Sequence, residues 1–244
     1  PLCKYSYDEQ NMALRNASPS FDHWLGTDKM GRDIFVRILF GARISLAVGC
    51  LAAVINLIVG TIYGGIAGYV GGKVDMIMMR VVDIIYSVPS MLYIVLIMLI
   101  FGASVVSIML GISITCWIDM ARIVRQQVKS LKEQEFTMAA FVLGASSSRI
   151  LLKHLLINTM GQIIVTVTLM VPQAIFTEAW LSFLGVGISA PMASWGTLAQ
   201  DARELIMTYP MQTVYPMIAI CITIFSFNFV GEGLEKALDP KRKR

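Results

Sequence analysis

Few residues in this 244-residue chain are of the types that do chemistry, and their spacing limits what they can do. Its histidines, His23 and His154, are far apart. Its cysteines, Cys3, Cys50, Cys116 and Cys221, form no C-x-x-C and no Cys/His pattern with metal-ligand spacing, so they read as free thiols. His23 reads as an ordinary hydrogen-bonded histidine. The sequence has no G-x-S-x-G, no H-E-x-x-H and no Gly-rich phosphate loop ending in Lys. A chain without these sets performs no catalysis; if ATP drives it, another chain binds the ATP. Asp83, beside the apolar stretch IIYSVPS, is either a relay group at membrane depth or the helix-end partner of Arg80, three residues earlier. The pairing with Arg80 is the expectation.

The other kind of chemistry is recognition, and one stretch is built for it: QEFTMAAFVLGASSSRILLKHLLIN, Gln134 to Asn158. Phe136, Ala139, Ala140 and Leu143 recur at helical spacing, with Glu135 at the start. Gly144 suits a C-terminal cap, and Ser146 or Ser147 can cap a second helix carrying Ile150, Leu151, His154 and Leu155 on one side. A short amphipathic helix leaves apolar surface exposed unless a partner covers it, and docking into a groove is the matching mode. Lying flat on lipid is the alternative; the small Ala-Ala face and the low positive charge around it argue for docking.

The elements that position this stretch are set by composition. Hydrophobic residues make up 56% of the chain and charged ones 15%, and the mean hydropathy is +0.69. Soluble domains are about a quarter charged, so the fold class is an all-α polytopic membrane protein. Alternating ~10-residue segments, the mark of a β-barrel, are missing. Ile44 to Gly72 predicts one span. The uncharged run from Ile84 to Ile118 would reach ~50 Å as one helix, so it splits at Phe101-Gly102-Ala103-Ser104 into two, the first beginning near Asp75 and the second ending near Arg122. Leu155 to Thr177 and Leu205 to Gly231 complete five spans. Thirteen of the 20 Lys and Arg residues fall on one side, among them Arg122, Arg125, Lys129, Lys132, Arg149, Lys153 and the tail from Lys241 to Arg244. The positive-inside rule makes that side cytoplasmic. The Gln134 loop and the C-terminus then face the cytoplasm, and Pro1 to Arg43 faces out. An outside start without a signal peptide leads to the expectation of a sixth, N-terminal span missing from this sequence.

Further features refine this plan. Residues 1–43 read as an extracytoplasmic segment with a short interfacial helix from Asp33, 44–232 as the membrane domain with its loop at 123–157, and 233–244 as a basic tail. Gly60, Gly64 and Gly68 repeat the small-xxx-small spacing of close helix contacts. Pro89, Pro172, Pro210 and Pro216 can bend their helices. Thr177 to Leu205 reads as a re-entrant or surface helix with Trp180 and Trp195 anchored at the lipid–water boundary.

The loop also resembles one found in permease subunits of binding-protein-dependent ABC importers, patterned E-A-A, three residues, G, nine residues, I-x-L-P. Ala139, Ala140, Gly144 and Leu156 match it; Met138, His154 and Ile157 stand where Glu, Ile and Pro are usual. The stretches WLGTDKMGRDIFVRILFGARISL, GYVGGKVDMIMMRVVDIIYSVP, LSFLGVGISAPMASWGTLAQDAR and GEGLEKALDPK resemble the oligopeptide, dipeptide and nickel permease family, from Trp24 to the tail. The resemblance implies a type I ABC importer transmembrane domain in a bacterial cytoplasmic membrane. Its implied partners are a second permease subunit, two cytoplasmic ABC ATPases that hold the ATP and Mg, an extracytoplasmic solute-binding protein and membrane lipid, with no nucleic acid. It implies an ATPase-coupling role for Glu135, Phe136, Ala139, Ala140, Gly144, Ala145 and Arg149. Glu135, one turn before Met138, then stands in for the usual Glu, and Ile157 for Pro predicts a smoother join into the fourth span. The expected solute is a peptide, with nickel or another small solute as the alternative. A membrane anchor docking a signalling partner is the alternative of another class.

Overall fold

The computed structural model describes residues 4–188 and 192–238; Cys3, residues 189–191 and the end of the basic tail lie outside them. Apart from one antiparallel bridge between Thr27 and Asp33, regular structure among the described residues is helical. Lipid dictates this, because a backbone in hydrocarbon must satisfy its hydrogen bonds within its own segment. Helix α1 runs Ile34–Val70, α2 Gly72–Ser87, α3 Ser90–Phe101, α4 Val105–Lys132, α5 Glu135–Val142, α6 Ser147–Phe183, α7 Trp195–Ala202 and α8 Pro210–Leu238. Helices α1, α4, α6 and α8 are each long and apolar enough to cross a membrane. Together α2 and α3, bent by 75° at their junction, are apolar enough to count as a fifth, broken span.

Three local expectations change. The second span is two helices rather than one, because Pro89 lacks an N–H and Val88 before it is extended, at φ −93° and ψ 126°. No separate interfacial helix precedes α1. Asp33 caps α1 directly, its Oδ1 accepting the Val36 N–H at 2.8 Å, and residues 34–43 are the first turns of the span. The second helix of the loop is likewise the start of α6. The expected break between α3 and α4 does occur, at Gly102, whose φ is +85°.

The chain forms two compact units. One comprises Pro1–Cys50, Val95–Met109 and Pro172–Ser226. At its heart is a buried ion network. Asp28 Oδ2 accepts from Arg32 Nε at 2.7 Å and from Arg37 Nη1 at 2.6 Å, and Asp201 Oδ2 accepts from Arg32 Nη2 and Arg37 Nη2, each at 3.1 Å. Two carboxylates thus face two guanidiniums, which offsets a desolvation cost of several kcal/mol per ion. His23 Nδ1 meets Asp33 Oδ2 at 2.8 Å, so the histidine is paired with a carboxylate of the same segment. The Gln212 side-chain amide donates to Asn16 Oδ1 and to the Thr27 carbonyl, both at 3.1 Å, so α8 begins tied to the N-terminal segment.

The other unit comprises Leu51–Ile94, Leu110–Val171 and Phe227–Arg244. Here the glycine spacing has its effect. A Cβ on Gly60 would lie 2.6 Å from Met120 Cβ, one on Gly64 2.2 Å from the Ala121 carbonyl oxygen, and one on Gly68 2.7 Å from that of Arg125. Glycine on successive turns of α1 lets the two backbones touch. Asp83 pairs with Arg122 of α4 at 3.1 Å and not with Arg80. Arg122 also lies over the Tyr86 ring, 4.4 Å from its centroid, so the cation is held by α2 from two sides. Arg125 grips Asp75 with both Nε and Nη2.

Replacing Gly64 by Leu must force α1 away from α4. Overpacking of this kind costs roughly 1–3 kcal/mol or more, and the expected result is earlier loss of the monodisperse peak when detergent-purified protein is heated before size-exclusion chromatography. Gly233→Leu, where nothing lies within 4 Å, is the control and leaves the profile unchanged.

Candidate coupling site

Helix α5 is short, and each of its ends is specified. Gln134 precedes it with extended backbone at φ −78° and ψ 150°, and its carbonyl accepts the N–H groups of Thr137 and Met138. Glu135 places negative charge at the positive end of the helix dipole, and Ala139 and Ala140 are strong helix formers. The C-terminus closes in two nested bonds. The Ala145 N–H reaches the Ala140 carbonyl at 3.1 Å and the Gly144 N–H reaches that of Phe141 at 3.0 Å. This pairing needs a left-handed residue at Gly144, whose φ is +81°.

The two sides of α5 do different things. Thr137 and Ala140 turn inward and are buried. The Thr137 hydroxyl donates to the Leu131 carbonyl at 2.8 Å, tying α5 to the end of α4. Ala140 joins a buried cluster with Met120, Val124 and Val128 of α4 and Ile150, Leu155 and Ile163 of α6. Ala145 packs, half-buried, against the same cluster. Glu135, Phe136, Met138, Ala139 and Arg149 stay exposed, as does Gly144. Beyond them, Phe141, Val142 and Leu143 are 72%, 83% and 86% exposed. The face expected to carry Phe136, Ala139, Ala140 and Leu143 together is therefore divided. Ala140 seats the helix on its own subunit, and the outward surface gains Met138, Phe141 and Val142 instead.

The junction into α6 is continuous, as the Ile at 157 implies, but it is not regular. Ile150–Leu155 is a π-helical segment within Ser147–Phe183. Ser146 caps the turn through its carbonyl, which accepts the Ile150 N–H at 2.9 Å, while its hydroxyl faces that of Ser148. Because α5 is bonded to α4 and packed on both α4 and α6, a force applied to its outer face reaches both spans. That is a mechanical capability, with no reacting group involved. Among the described residues no group of three or more His, Cys, Asp or Glu is placed to hold a metal ion.

Two features of the other unit escape the sequence reading. Trp195 is 4% exposed, and its Nε1 donates to the Ile38 carbonyl at 3.0 Å. It is a packing residue of α7, not an anchor at the lipid boundary; Trp180 does remain exposed. Glu178 is wholly buried within α6. The only sequence signal for it is an acidic residue inside an otherwise apolar run.

The family model for the binding-protein-dependent transport system inner membrane component matches residues 60–244. The chain is 51% identical over 241 residues to the oligopeptide transport system permease protein OppC of Bacillus subtilis, covering 99% of this chain and 79% of that protein. It is 47% identical over 244 residues to the dipeptide transport system permease protein DppC of the same species, covering 100% and 76%. Against OppC of Escherichia coli K12 it is 43% identical over 242 residues, covering 98% and 80%. Among solved structures, the inward-facing MetNI methionine ABC transporter shares the fold, with a TM-score of 0.68 at 16% identity over 83% of this chain and 96% of that one. An amino acid ABC transporter aligns with a TM-score of 0.64 at 14% identity, covering 82% and 94%. With its helical spans, its type I importer fold and these relatives, the chain belongs to the inner membrane components of binding-protein-dependent transport systems: it is a multi-pass, non-catalytic permease subunit of an ABC importer.

Proposed function

We propose that this permease imports short peptides and that α5 is the element through which ATPase motion enters it. The observation that carries the solute class is its 51% and 47% identity, over nearly its whole length, to permeases of oligopeptide and dipeptide systems. The coupling role is supported by the geometry of α5, an exposed apolar face mounted on buried Thr137 and Ala140.

Sidedness follows from charge. Arg125, Lys129, Lys132, Arg149 and Lys153 flank α5, and this positive charge supports a cytoplasmic position for it and for the C-terminus. Two ATPase subunits there bind ATP and Mg, a second permease completes the path, and a solute-binding protein delivers the peptide from outside. When ATP draws the ATPases together, the outer face of α5 moves with them. The Thr137 bond and the Ala140 contact carry the motion into α4 and α6, and the spans exchange access from one side to the other.

In cells lacking this subunit, a plasmid copy is expected to restore uptake of labelled tri- to pentapeptides but not of nickel; restored nickel uptake with no peptide uptake overturns the solute class. Gly144→Pro removes an N–H and fixes φ near −65° where +81° is needed. Uptake is expected to fall at least about tenfold, with loss of ATPase co-purification. Val142→Asp leaves the fold intact, being on the exposed face, and is expected to weaken co-purification about tenfold or more by placing a charge against an apolar groove. Parental uptake and co-purification in both variants would falsify the coupling role.

A further inference from the structure

Glu178 has an unusual setting for a carboxyl group. It is 0% exposed, and among the described residues no basic side chain lies within ion-pair distance of it. Its partners are hydroxyls from three segments. Ser45 of α1 donates to Oε2 at 3.0 Å, Ser182 one turn along α6 donates to Oε1 at 2.8 Å, and the hydroxyl of Ser194, which caps α7, is the third. Ser45 in turn accepts the backbone N–H of Trp195 at 3.4 Å. One carboxyl group thus joins α1, α6 and the start of α7.

The seat around it is tight. A Cβ on Gly196 would lie 2.6 Å from the Ala179 carbonyl oxygen and from Ser182 Cβ, and one on Gly41 would lie 3.1 Å from the Ser194 backbone. Packing of this closeness needs no acidic residue, and a buried carboxyl costs free energy that an apolar side chain would not. An ionisable group kept at such a place points to function. The far end of α7 indicates which one. Asp201 there binds Arg32 and Arg37. With Gln200 it lines a cavity of about 400 Å3 whose walls also carry Lys29, Arg203 and Glu204. That volume is in the range of small-ligand sites, and both signs of charge face it.

We propose that Glu178 is a positioning residue for transport. Through Ser45, Ser182 and Ser194 it fixes α7, and with α7 the charged wall of this cavity, and it does so by hydrogen-bond geometry and not by net charge. Glutamine can keep that geometry, because each serine hydroxyl accepts as well as donates. Alanine cannot.

The test uses the complete transporter with its native cysteines replaced by serine and a single cysteine at Ala199, which is 4% exposed on α7. A membrane-impermeant maleimide supplied from outside the cell reports whether α7 stays seated. Glu178→Ala is expected to speed labelling at least about tenfold through local opening, and Glu178→Gln is expected to label at the parental rate. Uptake, the one arm that rests on the proposed peptide function, is expected to lose about tenfold in kcat/KM in the alanine variant and to recover with glutamine, while ATPase co-purification stays constant. Labelling at the parental rate in Glu178→Ala, or fast labelling in Glu178→Gln, overturns the proposal. Should Glu178→Ala not reach the membrane, Ser45→Ala decides: faster labelling supports the clamp and an unchanged rate refutes it. A parental transporter that moves no peptide refutes the peptide assignment and leaves the labelling result standing.

Discussion

Helices in lipid gain no hydrophobic free energy by meeting, since the tails around them are as apolar as their own side chains; what they gain comes from close packing. The contact of Gly60, Gly64 and Gly68 with the backbone of α4 answers that constraint, and the rest of its unit is built on it. It fixes α4, whose Met120, Val124 and Val128 then form one wall of the cluster that receives α5 and the start of α6. The apolar outer face of α5 is held rigidly only because this inner sequence of contacts exists. The seat of the proposed coupling helix thus begins with three residues that have no side chains.

Buried charge is handled in two ways. Asp28, Asp201, Arg32 and Arg37 neutralise one another in one cross-bonded network, with bonds of 2.6 to 3.1 Å. Removing any one member leaves the others with one sign in excess, the positive if a carboxylate goes and the negative if a guanidinium goes, and the cost is greatest for the buried Asp28 and Arg37. Glu178 has no ionic partner among the described residues and is held by hydroxyls instead. The first arrangement makes its unit stiff, because guanidiniums bridge segments far apart in sequence. The second is weaker per bond and depends on how three segments are spaced, which suits a group whose task is to hold α7 in place.

Much of this is legible in the sequence where the rule is local. The number of spans follows from the length of apolar runs, the break before α4 from Gly102, the cap of α5 from Gly144, and the contact face of α1 from glycines four apart. Where a partner lies on another helix, local spacing misleads. Asp83 has Arg80 one turn away, yet it bonds Arg122 on α4, because that pair also lets the guanidinium lie over Tyr86. Trp195 has the composition of a boundary residue but finds the Ile38 carbonyl inside the protein. Ala140 shares a helical period with Phe136, but its small size lets the helix sit down on Ile150 and Leu155, so it belongs to the inner face. The bend at Pro89 was foreseeable; its 75° was not, because a bend becomes a break only when the flanking residues also leave the helix.

Two of the long helices contain a π-helical segment, Asn56–Gly60 in α1 and Ile150–Leu155 in α6. Each accommodates one residue more than a regular turn, which rotates everything downstream by about 100° relative to what precedes it. The glycines that meet α4 begin where the first segment ends, and the buried pair under α5 lies inside the second. Length and orientation are therefore linked like the pitch and phase of a screw. Deleting one residue from either segment would return it to a regular turn and leave the downstream face in place, whereas deleting one elsewhere in these helices would rotate that face by about 100°.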